Sequence, residues 1–126
     1  MSIIDSYTIK GSDVGIERYD FQIEIVHDGD VHPGDSDCYT DKQVAAWKND
    51  EWQFVGVDVV PTRHGVTVYG AREALFGVEY GDYLLTNEDD NVTGRKDIGR
   101  DELLEHPIKE MAELAASTAD ALIAAL

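Results

Sequence analysis

The sequence predicts an α+β fold: an antiparallel sheet of three to five strands, a C-terminal helix packed on one face, and a short helix near residues 41–49. Three observations carry this. Residues 19–28 and 51–61 alternate apolar and polar side chains with the period of half-buried strands, and residues 101–126 repeat apolar side chains at helical spacing. With 43% apolar residues in 126, the chain has material for one core, so residues 1–126 are read as a single α+β domain.

In "YDFQIEIVHD" (19–28), Phe21, Ile23 and Ile25 share one side and Gln22, Glu24 and Val26 the other. Thr40 before "DKQVAAWKND" is a candidate N-cap, and Gln43 three residues later completes a capping box; Val44, Trp47 and Lys48 follow at helical spacing. "EWQFVGVDVVP" (51–61) reads as a strand with Trp52, Phe54, Gly56 and Asp58 facing one way and Gln53, Val55, Val57 and Val59 the other. "TRHG" supplies a turn and "VTVYG" a returning strand, giving an antiparallel hairpin over 52–70. "ALFGVEYGDYLL" is a fourth strand candidate punctuated by Gly77 and Gly81, and "TNEDDNVTGRKD" a polar loop or a second hairpin tip. From Asp101 onward the pattern is helical, with Pro107 kinking the helix or starting a new one. Leu104, Ile108, Met111, Ala115, Thr118, Leu122 and Ala125 form its expected apolar stripe, on a helix roughly 30 Å long from Pro107.

Charge is the strongest single feature: 26 acids against 10 Lys and Arg give a formal net charge of −16. It is unevenly placed. Residues 1–40 hold nine acids and two bases, 41–80 six and four, and 81–126 eleven and four. Such a field repels nucleic acid and anionic membrane and attracts basic protein surfaces, so direct nucleic-acid binding is not expected. The absence of any long apolar run or signal-like N-terminus, together with a lone Cys38, leads to the expectation of a soluble cytoplasmic protein without a disulfide.

Spread evenly over a globule of about 6,700 Å², sixteen charges give one per roughly 420 Å². Duplex DNA, taken as a cylinder ~20 Å wide, carries on the order of one per 100 Å². Mimicry of DNA therefore requires the acidic segments to converge on one face. Two other causes of acidity compete with a partner: hydration in strong brine, and solubility alone.

The stretch "HDGDVHPGDSDC" (27–38) places two histidines, four aspartates and the only cysteine in twelve positions. His27, Asp30 and His32 offer nitrogen and oxygen donors suited to zinc or manganese, but their spacing matches no zinc signature, and Gly29, Pro33, Gly34 and Ser36 are ordinary loop residues. Nothing beside Cys38 would activate it as a nucleophile. "DDNVTGRKDIGR" has calcium-loop residues at its first, third, fifth and sixth places, then fails at Lys96 and Arg100, where an apolar residue and a bidentate glutamate belong. "VYGAREALFG" lacks phosphate-loop spacing. Trp47 and Trp52 are expected as core anchors, while Tyr39, Tyr80 and Tyr83, beside acids or glycines, are candidates for either an interface or packing.

Residues 39–83, through "CYT…Q…AW.NDEW.FVGV" and "LFGVEYGDY", resemble a group of small uncharacterised proteins from actinobacterial phages, prophages and their hosts. Where that group would have "SLWGVE", this chain has Ala74, Leu75 and Phe76. The resemblance covers about a third of the chain and brings no assigned activity. It implies a mobile-element setting and a small α+β domain, transfers no catalytic residue, and argues against brine as the cause of the charge.

Three functional expectations follow. The first is a non-enzymatic acidic protein that engages a basic protein, in this setting an inhibitor occupying the nucleic-acid site of a host enzyme, with Asp28, Asp30, Asp35 and Asp37 clustered with Glu88, Asp89 and Asp90. The second is a small metal-dependent hydrolase built on His27, Asp30 and His32. The third is self-assembly through residues 108–126, as a homodimer or a larger structural array. No catalytic residue, metal ligand or cofactor is assigned.

Overall fold

The computed structural model describes residues 2–126. In chain order the elements are β1 (Ile3–Ile9), β2 (Asp20–His27), α1 (Asp41–Lys48), β3 (Trp52–Arg63), β4 (Val66–Thr67), β5 (Glu73–Thr86), β6 (Val92–Ile98), α2 (Arg100–Leu103) and α3 (Lys109–Ala124). The fold is α+β. Its strands form one antiparallel sheet in the order β1-β2-β3-β5-β6, with the two-residue β4 paired to the end of β3.

Six strands exceed the expected three to five. β1 carries a period-two signal in Asp5, Tyr7 and Ile9 that the neighbouring Ile4 and polar residues obscure. β6 is almost wholly exposed, so no apolar alternation marks it. The hairpin turn falls on His64 and Gly65, both with positive φ, 52° and 76°, as a two-residue type I′ turn needs. The returning strand is much shorter than "VTVYG" suggests, because residues 69–71 turn away and β5 becomes the main partner of β3.

β5 makes the sheet curl. Its first half, Glu73 to Gly81, pairs with β3, and its second half, Gly81 to Thr86, pairs with β6. The change of partner centres on Gly81 (φ 107°), and the bulge that precedes it on Gly77 (φ 72°), both in backbone regions that strain other residues.

Alternation along β3 separates two apolar clusters. Val55, Val57 and Val59 join Phe21, Ile23 and Ile25 of β2 in a cluster that includes Leu103, Ile108, Met111, Ala112, Ala115, Ala116 and Ala119. Trp52 and Phe54, at the opposite parity, pack with Ala46 and Leu84, bordered by Val31, Tyr39, Trp47 and Tyr83. The C-terminal stripe also shifts from its expected course. Ile108, Met111 and Ala115 are buried, but burial continues through Ala116 and Ala119, leaving Thr118 and Leu122 exposed. A straight α-helix drifts by about 20° per heptad from a 4-3 pattern, which is the size of slip needed. Pro107 starts a new helix, preceded by His106 in an extended conformation (φ −149°, ψ 123°), since a residue before proline is pushed out of helical geometry.

Candidate functional site

The acidic segments flank α1. The capping box read from the sequence is present: Thr40 Oγ1 accepts from the Gln43 backbone N–H, and the Gln43 side chain accepts from the Thr40 N–H. Gln43 is itself buried with its polar groups satisfied: its Nε2 donates to the Leu84 carbonyl at 2.9 Å and to the Tyr83 hydroxyl at 3.3 Å, and its backbone carbonyl accepts from Trp52 Nε1 at 3.0 Å. These bonds lock α1 onto β3 and β5. The loop before it is held by buried Pro33, by the edge-on contact of His32 with Trp47 (centroids 4.6 Å apart) and by Tyr39, whose hydroxyl donates to Glu79 at 2.7 Å.

Held in this way, the loop leaves Asp30, Asp35 and Asp37 exposed. Asp28 is the exception, and its place in the expected outward set is corrected. It is only 8% exposed, and its carboxylate accepts from the Gly77 N–H at 2.9 Å and the Asp30 N–H at 3.2 Å. It pins the β5 bulge to the end of β2 and is spent inside the fold.

At the other segment, Asn87 Oδ1 accepts from the N–H groups of Asp89 and Asn91, closing the tip between β5 and β6 and leaving Glu88 and Asp89 exposed. Asp90, at φ 59°, is half-buried. Its Oδ2 accepts from the Lys42 N–H at 3.3 Å, placing a carboxylate at the positive end of α1, while Oδ1 is buried with no hydrogen-bond partner. The Thr40 and Thr86 hydroxyls meet at 3.0 Å. The tip and the loop are therefore joined at the first turn of α1, through Asp90, Lys42, Thr40 and Thr86. No direct bond joins Asp30, Asp35 or Asp37 to Glu88 or Asp89 among the described residues.

Most of the 26 acids, these included, take part in no ion pair among the described residues. Among the described residues, salt bridges engage six acids (Asp5, Glu51, Asp58, Asp82, Glu102 and Asp120) and five bases. None of the seven acids expected at the site is among them. The interface reading of the tyrosines fares differently. Tyr39 and Tyr83 pack against Trp52, and Tyr80 borders the main core. Burial, reinforced for Tyr39 by the bond to Glu79, raises the Tyr39 phenol well above its usual range, and burial pushes Tyr83 up to about 12. Both are protonated at neutral pH.

The donors proposed for a metal do not converge. His27 Nδ1 lies 2.9 Å from Gln53 Oε1, and His32 Nδ1 accepts from the Gly34 N–H at 2.9 Å. Among the described residues, no three His, Cys, Asp or Glu side chains form a group able to hold a metal ion. Cys38 is exposed, and no described helix is long and apolar enough to cross a membrane. The sequence reading missed Lys42, whose backbone links the tip to α1, and Glu79, which holds Tyr39. The capping box was the available signal for the first; nothing local signals the second, which depends on pairing forty residues apart. No protein-family model, curated protein or solved structure matches the chain.

Proposed function

We propose that this chain is a non-enzymatic binding protein whose exposed acids beside α1 engage a basic surface on another protein. The observation that carries the reading is that Asp30, Asp35, Asp37, Glu88, Asp89 and Asp90 take part in no ion pair among the described residues, although their two segments are stapled together at Lys42 and Thr40. Of these, Asp30, Asp35, Asp37, Glu88 and Asp89 are exposed and meet a partner's lysines and arginines without first breaking internal bonds, while Asp90 stays on the Lys42 N–H as part of the brace.

Even spreading would not suffice for imitation of nucleic acid. The accessible surface of 7517 Å² divided among sixteen net charges leaves about 470 Å² for each, against on the order of 100 Å² on DNA. Such imitation requires Asp30, Asp35, Asp37, Glu88, Asp89 and Asp90 to group on one face, which the joining of their two segments at Thr40 and Lys42 favours. In the setting that the resemblance of residues 39–83 implies, the partner is a nucleic-acid-handling enzyme in the cytoplasm of an actinobacterial host, inhibited by occupation of its basic groove. The C-terminal helix serves in this reading as the cover of the sheet's apolar face, leaving α1 and its acids free.

The test is affinity capture from such a lysate at low salt, followed by a wash at high ionic strength. Retention of a basic nucleic-acid-handling protein, released by salt, is expected. Retention of nothing specific, or of a partner indifferent to salt, would contradict the reading.

A further inference from the structure

Beyond the aromatic cluster under α1, the face of the sheet that carries Trp52 and Phe54 continues as an open polar trough. Its cavity of about 610 Å³ is floored by Ser6 and Thr8 of β1, Gln22 and Glu24 of β2, and Asp58 and Val60 of β3, with Tyr69 and Arg72 at one wall. The register sets these side chains in rows: Ser6 opposite Glu24 and Glu24 opposite Asp58, then Thr8 opposite Gln22 and Gln22 opposite Val60.

Two features of this trough run against what a merely solvated sheet face would select. Glu24 and Asp58 are like charges placed directly across neighbouring strands, an arrangement that destabilises a sheet, and among the described residues Glu24 has no basic partner. Asp58 has Arg72 Nη2 at 2.7 Å, yet the Asp58 oxygen concerned, Oδ1, is buried and makes no hydrogen bond, so the contact is Coulombic without alignment. The side chain of Asp58 is 17% exposed and that of Arg72 50%, so the carboxylate lies in the floor of the trough and the guanidinium toward solvent. Places where a fold tolerates local conflict of this kind are where binding sites are found.

We propose that the trough binds a primary alkylammonium group between the Glu24 and Asp58 carboxylates. The ammonium offers three N–H donors and a positive charge, supplying the hydrogen bond that Asp58 Oδ1 lacks and the counter-ion that Glu24 lacks. Arg72 swings outward as it is replaced. Tyr69, 73% exposed at the wall, offers its ring to the cation or its alkyl chain, and Ser6, Thr8 and Gln22 provide hydroxyl and amide groups for a second polar end. The chemistry is shared by a free aliphatic diamine and by a lysine side chain of another protein. This site is separate from the acids beside α1 and does not depend on their role.

The experiment titrates the protein with 1,5-diaminopentane, and in parallel with Nα-acetyl-lysine amide, in about 150 mM salt, where exposed charges are screened beyond ~8 Å. Backbone amide shifts are followed by NMR. Saturable one-to-one binding with shifts centred on residues 6–8, 22–24 and 58–60 is expected, and the tighter probe identifies the source. Glu24→Gln should weaken binding by about tenfold or more, the loss of one charge-assisted contact, while the equally charged control Glu113→Gln, on the exposed side of α3, changes it by less than about twofold. Arg72→Gln should tighten binding by removing the internal competitor. Unsaturable binding, shifts scattered over all acids, or equal weakening by Glu24→Gln and Glu113→Gln would overturn the proposal. A thermal melt of each variant identifies any that fails to fold, and Asp58→Asn then replaces Glu24→Gln.

Discussion

Asp120 and Asp35 carry the same charge and are put to opposite uses. Asp120, on α3, is held by Arg18 through Nε and Nη2 at 3.0 and 2.7 Å and accepts from the Tyr19 hydroxyl at 2.7 Å, tying the segment before β2 to the C-terminal helix. Arg100 grips Asp5 in the same bidentate way, both bonds at 2.7 Å, with its guanidinium 4.0 Å from the Tyr7 ring centre. Asp35 and its neighbours beside α1 meet no base. Within the acidity of this chain two populations thus stand out: acids such as Asp5 and Asp120 are clasped by arginines that tie distant segments together, and the loop acids beside α1 meet no base, on segments braced by bonds to Asp28, Glu79 and Asp90.

If the distinction is right, substitutions should sort by population. Asp28→Ala should have the largest effect on folding, lowering stability by about 1.5–3 kcal/mol, because it strips a buried charged acceptor from two backbone N–H groups; urea unfolding measures it. Next comes alkaline sensitivity. Burial pushes Tyr7 and Tyr83 up to about 12 from an ordinary value of 10.0. The folded state therefore holds these protons while the unfolded chain releases them, so stability should be intact below pH ~10 and fall as pH rises toward ~12. Absorbance of tyrosinate against pH, compared with a stability curve, checks it.

A smaller effect is expected at the exposed clasps. Asp5 is lowered chiefly by its bond from Arg100, and Asp120 by its bonds from Arg18 and Tyr19. Their contribution is present above the ordinary carboxylate value and is lost as pH falls through the depressed folded value. Asp120→Asn should flatten that acid limb and make the remaining stability less dependent on salt. Smallest of all, Asp30→Asn, Asp35→Asn and Asp37→Asn together should leave the melting temperature unchanged or slightly raised, since the acids they remove repel one another and bind nothing internal. A marked loss there would merge the two populations.

Legibility in the sequence followed the range of the interactions. The alternation of Phe21, Ile23 and Ile25 and the capping box at Thr40 and Gln43 depend on neighbours within a few residues, and each was readable; at Pro107 the sequence leaves a kink and a new helix open, and the extended His106 decides for the new helix. β6 was not readable, because an exposed edge strand has no apolar face to show. The loop acids were legible as charges but not as positions. Nothing local says that Asp28 turns inward to Gly77, forty-nine residues away, while Asp30 does not. The trough is harder still, since Glu24 and Asp58 become neighbours only through strand register.

The central claim is that a particular acidic surface, and not net charge, recognises the partner. Two variants separate these. One neutralises Asp30, Asp35, Asp37, Glu88 and Asp89; the other neutralises five exposed acids elsewhere, Asp13, Glu17, Asp101, Glu105 and Glu110. Both have the same net charge. Capture of the basic partner from the host lysate, quantified for wild type and both variants at one salt concentration, should be lost with the first and kept with the second. Equal loss in both, or retention by the first, would contradict the account.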